Sequence, residues 1–222
     1  MNHRVNNRNY QKELDKLLES LTTERVGEGL KEPPTLLLHS CCAPCSSYTL
    51  EYLSQFFRIT VLYFNPNIMR KEEYEKRVKE QERLIKEMGL DNVTFLTGRY
   101  EPREYMDAVR GMEREPEGGK RCWVCYELRI REAAILAKEG GYDYFCTTLS
   151  ISPLKHADWL NEIGEKMAQE YGVKWLPSDF KKKGGYKRSI ELSKEYNLYR
   201  QNFCGCEYSK PHPQPLSMRR GE

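Results

Sequence analysis

The chain has 222 residues, enough for one α/β domain or two small ones. Lysine and arginine total 36 against 33 acidic residues, and the resulting formal charge of +3 permits nucleic-acid binding without arguing for it. No apolar run approaches the roughly 18 residues a membrane span needs, and residues 1–10 lack the apolar stretch of a signal peptide, so the expected location is the cytoplasm with no membrane partner.

Tyr10, Leu14, Leu17, Leu18 and Leu21 recur at helical spacing and predict an amphipathic helix over residues 7–24. Thr35-Leu36-Leu37-Leu38-His39-Ser40 is a short apolar run of the kind buried on both faces, a first strand. A helix is expected over 46–57, then a second strand over Ile59–Phe64, ended by Asn65-Pro66-Asn67. Residues 71–88 read as a charged helix with Tyr74, Val78, Ile85 and Met88 on one side and Gly89 as its cap. Strands are expected at 93–96, 142–149 and 173–176, and helices at 101–109, 122–138, 155–171 and 189–196.

This alternation predicts an α/β fold: a doubly wound, mostly parallel five-stranded sheet of Rossmann-like type. An N-terminal helix precedes it and a C-terminal helical and cysteine segment follows. One catalytic domain over 1–209 is expected, with the proline-rich stretch 210–222 as a flexible tail. In such sheets ligands collect beyond the carboxyl ends of the strands, near the topological switch. Thiols stand where a glycine-rich phosphate loop would follow strand one, which argues for metal rather than nucleotide phosphate.

Seven of the eight cysteines fall into three clusters: Cys41, Cys42 and Cys45; Cys122 and Cys125; Cys204 and Cys206. Thiolates select zinc, copper(I) or iron–sulfur clusters, and four of them suffice for one site. The surplus points either to a second metal or to a redox-active thiol pair. Cys42-Ala43-Pro44-Cys45 alone reads as a dithiol motif, but that leaves Cys41 and the other clusters unexplained. Cys122 and Cys125 alone could serve structural zinc, yet their separation from Cys45 demands a site assembled by the whole fold. Cys146, inside an apparent strand, reads as a core hydrophobe, and His39 and His156 as satisfied histidines. Lys181, Lys183, Tyr186, Arg188 and Arg200 form a basic and aromatic patch suited to phosphate neutralisation and base stacking on RNA.

Read together, these segments resemble the QueH family, the cobalamin-independent epoxyqueuosine reductases. The resemblance rests on six ordered motifs. They are Leu38–Ser46; Asn65-Pro66-Asn67-Ile68 with Glu73, Tyr74 and Arg77; and Arg121-Cys122-Trp123-Val124-Cys125-Tyr126 with Arg129. Thr147–Pro153 with Lys155, Asp179–Tyr186 and Leu198–Cys206 complete the set. Arg70 stands where proline is expected and Phe203 where tyrosine is expected. The resemblance implies deoxygenation of epoxyqueuosine at the wobble position of tRNA, using two electrons from an electron donor the sequence does not identify. It implies a [4Fe–4S] cluster and a nearby second metal ion, expected to be iron.

On that footing Cys45, Cys122, Cys125 and one of Cys204 or Cys206 are expected to hold the cluster. Cys41 or Cys42, with the other member of the C-terminal pair, would hold the second metal. That metal would polarise the epoxide carbon–oxygen bond. Asp179 is a candidate oxygen ligand of that metal, and Asp179 or a metal-bound water is the expected catalytic proton donor. The rival readings are a zinc-stabilised RNA-binding module and an ATP-dependent tRNA-thiolating enzyme, the latter lacking its phosphate loop here.

Overall fold

The computed structural model describes residues 8–27 and 32–209, and the tail expected from Lys210 lies outside them. Five strands form one wholly parallel sheet in the order β3-β2-β1-β4-β5. Central β1 (Thr35–His39) pairs with β2 (Arg58–Tyr63) on one side and β4 (Tyr144–Thr147) on the other. β3 (Val93–Thr97) and the two-residue β5 (Lys174–Trp175) are the edges. Leu36, Leu37 and Leu38 are fully buried, as an apolar strand covered by helices on both faces requires.

The helices are α1 (Tyr10–Gly27), α2 (Ala43–Leu53), α3 (Lys71–Met88), α4 (Pro102–Ala108), α5 (Lys120–Glu139), α6 (Ala157–Tyr171) and α7 (Gly185–Glu195). α2 begins three residues before the expected position. Cys42 is its extended N-cap and Pro44 sits in its first turn, where a missing amide donor costs nothing. α3 ends where Gly89 takes a left-handed conformation at φ +60°.

The strand order reverses between β1 and β4, so the loops leaving their carboxyl ends part and open a crevice. Helices that connect parallel strands run opposite to them and start at this same edge. The first turns of α2, α3, α5, α6 and α7 therefore face the crevice side, each with the positive end of its dipole.

Residues 196–206 have no regular structure and lie along one face of α3. Arg83 donates to the Tyr196 carbonyl at 3.0 Å, Glu80 accepts the Tyr199 N–H at 2.6 Å, and Lys76 sits 3.4 Å above the Tyr199 ring. Glu73 accepts both the Arg77 Nε–H at 2.7 Å and the Tyr199 hydroxyl at 3.2 Å. Arg77 then donates to the Cys204 carbonyl at 3.2 Å. This face of α3 returns the last cysteine cluster to the carboxyl edge.

Candidate metal centre

The chain supplies thiols from three directions. Cys41 and Cys42 lie on the β1–α2 turn and Cys45 in the first turn of α2. Cys122 and Cys125 lie in the first two turns of α5. Cys204 and Cys206 arrive on the segment held by α3.

The sulfurs of Cys41, Cys42 and Cys45 all lie within 4.8 Å of one another, close enough to share one metal ion. Three thiols this close do not ionise together. Cys42 is held well below the usual thiol range by hydrogen bonds from Cys41 and Cys45 and by the Arg77 charge, while its partners are pushed up, Cys41 to about 12. Cys122, Cys125, Cys204 and Cys206 line a second, smaller cavity. Burial pushes the Cys125 thiol up to about 12. Burial also opposes ionisation of Cys204, but Lys155 and Arg129 outweigh it and hold that thiol below its ordinary value. The Lys155 ammonium stands 3.6 Å from the Cys204 sulfur.

The seven thiols thus line two cavities instead of one, and Arg129, Lys155 and Cys204 belong to the linings of both. Cys45 groups with Cys41 and Cys42 and is not among the residues that line the smaller cavity.

Arg129 is 1% exposed, yet no carboxylate pairs with it among the described residues. It donates to the Cys125 carbonyl at 3.0 Å and to Asn65 at 3.5 Å, and its Nη2 has no hydrogen-bond partner there. Arg77 has one carboxylate, Glu73, and its own Nη2 is unpartnered. A buried cation costs several kcal/mol unless negative charge compensates it. Metal–thiolate groups carry such charge, so this lining fits a bound cluster or metal.

The larger cavity, over Cys41, Cys42 and Cys45, is lined by Arg77, Arg129, Lys155 and Arg200 and by no carboxylate among the described residues. Of the expected RNA-binding residues, Tyr186 and Arg200 line it. The others are engaged with acids: Lys181 with Asp179 at 2.6 Å, Lys183 with Asp15 at 2.5 Å, and Arg188 with Glu51 at 2.7 Å. Asp179 is buried beside Lys181 and lines neither cavity. Cys146 is fully buried against Leu176 and Ser178, away from both cavities. His39 accepts from or donates to Thr147 at 2.8 Å and the Phe64 carbonyl at 3.0 Å, and burial pushes its pKa down to about 3, so it is a neutral core histidine.

Arg77, Arg129, Lys155 and Gln201 belong to the quoted motifs, but sequence reasoning assigned them no role in the site. Arginine on a charged helix ordinarily reads as a solvated face, and the partners that hold these, Cys204 for Arg77 and Asn65 for Arg129, are distant in sequence.

A doubly wound parallel sheet with two sets of thiols and buried cationic side chains at its switch point defines the class: an α/β protein built around a thiolate site able to hold metal. The family model described as "Epoxyqueuosine reductase QueH" matches residues 36–212. The epoxyqueuosine reductase QueH of Streptococcus pyogenes serotype M1 is 45% identical over 198 residues, covering 88% of this chain and 77% of that one. That of Staphylococcus epidermidis is 44% identical over 200 residues, covering 88% and 83%. That of Thermotoga maritima is 37% identical over 180 residues, covering 79% and 90%. The chain belongs to the epoxyqueuosine reductase QueH family. Among solved structures, the U34-tRNA thiolase NcsA from Methanococcus maripaludis, with its [4Fe-4S] cluster, is similar at TM-score 0.49 and 11% identity, covering 90% of this chain and 69% of that one. That likeness is too distant to carry a function across. Among the described residues no helix is long and apolar enough to cross a membrane.

Proposed function

We propose that this chain reduces epoxyqueuosine to queuosine at the wobble position of tRNA. The epoxide oxygen leaves as water and a carbon–carbon double bond forms, consuming two protons and two electrons from an external donor. The observation that carries the reading is the meeting of two thiol sets with the buried Arg129, which no carboxylate pairs among the described residues, in a chain belonging to this family.

The four-thiol lining of Cys122, Cys125, Cys204 and Cys206 is the proposed holder of a [4Fe–4S] cluster, and Cys41, Cys42 and Cys45 of the second metal. When bound, these groups supply single electrons and Lewis acidity. The chain's own residues do the rest. Arg129 and Lys155, common to both linings, balance the thiolate charge. Arg200 and Tyr186 line the open cavity and are placed to meet the phosphate and base of the incoming nucleotide. Lys181, Lys183 and Arg188 flank them, their charge partly compensated by acids. Asp179 is held by Lys181 and lines neither cavity, so any proton it handles would have to be relayed to the oxygen.

Expression of the chain in a bacterium lacking epoxyqueuosine reductase tests the proposal. Conversion of tRNA-borne epoxyqueuosine to queuosine is the expected result. Persistent epoxyqueuosine beside abundant, metal-loaded protein would overturn it.

A further inference from the structure

Beside the mouth of the larger cavity lies an apolar and aromatic patch that the thiol chemistry does not use. After β4 the chain turns at Ser152, whose Oγ accepts the Leu154 N–H at 3.3 Å and whose carbonyl accepts that of Lys155 at 3.1 Å. This turn holds Pro153 and Leu154 on the cavity rim, with Leu154 54% exposed. Lys155 reaches toward Cys204, while the next residue, His156, is exposed. The His156 ring lies on Trp159 with centroids 4.4 Å apart and planes 32° apart. Trp159 in turn meets Trp123 edge-on at 5.3 Å, and both tryptophans are half-buried. Trp123 adjoins Cys122, so the patch is joined to the thiol site through both the 153–156 turn and the start of α5.

We propose that Leu154, His156 and Trp159 form a stacking surface for unpaired anticodon-loop bases next to the nucleotide that enters the cysteine cavity. This rests on the reading of the substrate as tRNA. A nucleotide drawn into the cavity brings its neighbours to the rim, and unpaired bases are held on single-stranded RNA-binding proteins chiefly by aromatic faces. The patch is poor in free positive charge, and Asp158 and Glu162 are exposed on the same helix, so it suits bases better than phosphates. The basic patch elsewhere is largely paired with acids, which leaves stacking here as a separate source of affinity.

Binding of an anticodon stem-loop RNA to metal-loaded protein, followed by fluorescence anisotropy at several salt concentrations, tests the surface. His156→Ala and Trp159→Ala are expected to weaken binding about tenfold each, with Trp159→Phe within about threefold of wild type. The slope of log affinity against log salt should not change, because no phosphate contact is lost. Tryptophan fluorescence of the unmodified protein should also be quenched by the RNA, a readout independent of any variant's folding. Unquenched fluorescence together with unchanged affinity of His156→Ala would overturn the proposal. So would unchanged RNA affinity with slower reduction by a protein electron donor but not by a small reductant, which would give the patch to the donor. Wild-type protein that binds no tRNA would remove the substrate reading and this surface together. Tight wild-type binding with equally tight variants would remove the surface alone.

Discussion

Arg129 is the side chain whose burial is hardest to explain without a metal group. It is 1% exposed, so burial opposes its charge, and the groups that favour that charge are thiols once ionised, Cys125 first, then Cys204 and Cys41. If metal–thiolate groups supply its counter-charge, Arg129→Met should shift the midpoint potential of the bound cluster to more negative values, by on the order of 100 mV, because removal of a nearby positive charge disfavours the added electron. Spectroelectrochemical titration measures this, and an unshifted potential would mean the guanidinium serves packing only. The proposed division of the thiols is testable too. Cys125→Ser should abolish the cluster's visible absorption, whereas Cys42→Ser should leave it and remove about one metal ion per chain, since one tetrahedral or cubane centre takes four ligands. Loss of the cluster from Cys42→Ser with retention in Cys125→Ser would reverse the assignment. All seven thiols of these linings were legible as clustered cysteines. Their grouping in space was not, because Cys204 and Cys206 are brought to the site by contacts distant in sequence, such as Arg77 to Cys204.

At the scale of elements, α3 departs most from its sequence pattern. Spacing puts Tyr74, Val78, Ile85 and Met88 on one side, but the buried residues are Tyr74, Arg77, Gln81 and Leu84. Gln81 accepts the hydroxyls of Ser40 and Ser46 at 2.7 and 2.8 Å, and Arg77 anchors Cys204. Polar residues are buried there because their partners are polar too, and hydropathy cannot see partners so distant in sequence. The strands were read more closely, since an apolar run between glycine and proline signals leaves little choice of state. At the far end of the sheet, Asp143 accepts the backbone N–H and hydroxyl of Thr35, both at 2.8 Å, and its own N–H donates to that hydroxyl at 3.0 Å, locking the starts of β1 and β4 together. Burial alone would raise the Asp143 pKa, but these bonds and the charges of Lys174 and Arg58 hold it below its ordinary value. The folded state therefore binds fewer protons than the unfolded one below about pH 4, and the stabilisation is complete above that pH and is lost as pH falls through the folded value. Asp143→Ala should cost about 0.5–1 kcal/mol at pH 7, since solvent competes at this exposed site, with the difference shrinking under more acid conditions. Urea unfolding of both proteins across pH 3–7 checks it, and a difference constant with pH would assign the effect to packing.

For the molecule as a whole, the parallel, doubly wound sheet was implied by strand–helix alternation and right-handed crossovers, while the order that sets the switch point is read from the fold. The sequence placed the first cysteine cluster at the end of β1, and the fold explains why the others join it. α5 leads into β4, so Cys122 and Cys125 in its first turns stand at the carboxyl edge, and the face of α3 brings residues 199–206 back to the same edge. The proposed tRNA-facing surface was the least legible part. Lys181, Lys183 and Arg188 looked free in sequence and are paired with acids in the fold, whereas Trp123 and Trp159 became neighbours only when α5 packed on α6. The most direct test of this assembly is an anaerobic reaction of metal-loaded protein with tRNA carrying epoxyqueuosine and a chemical reductant, read by mass spectrometry of the released nucleosides. The expected result is loss of one oxygen from the modified nucleoside, giving queuosine, with two electrons consumed per product. An unchanged nucleoside, in the presence of fully loaded and reduced protein that binds the tRNA, would contradict the assignment of this site to epoxide reduction.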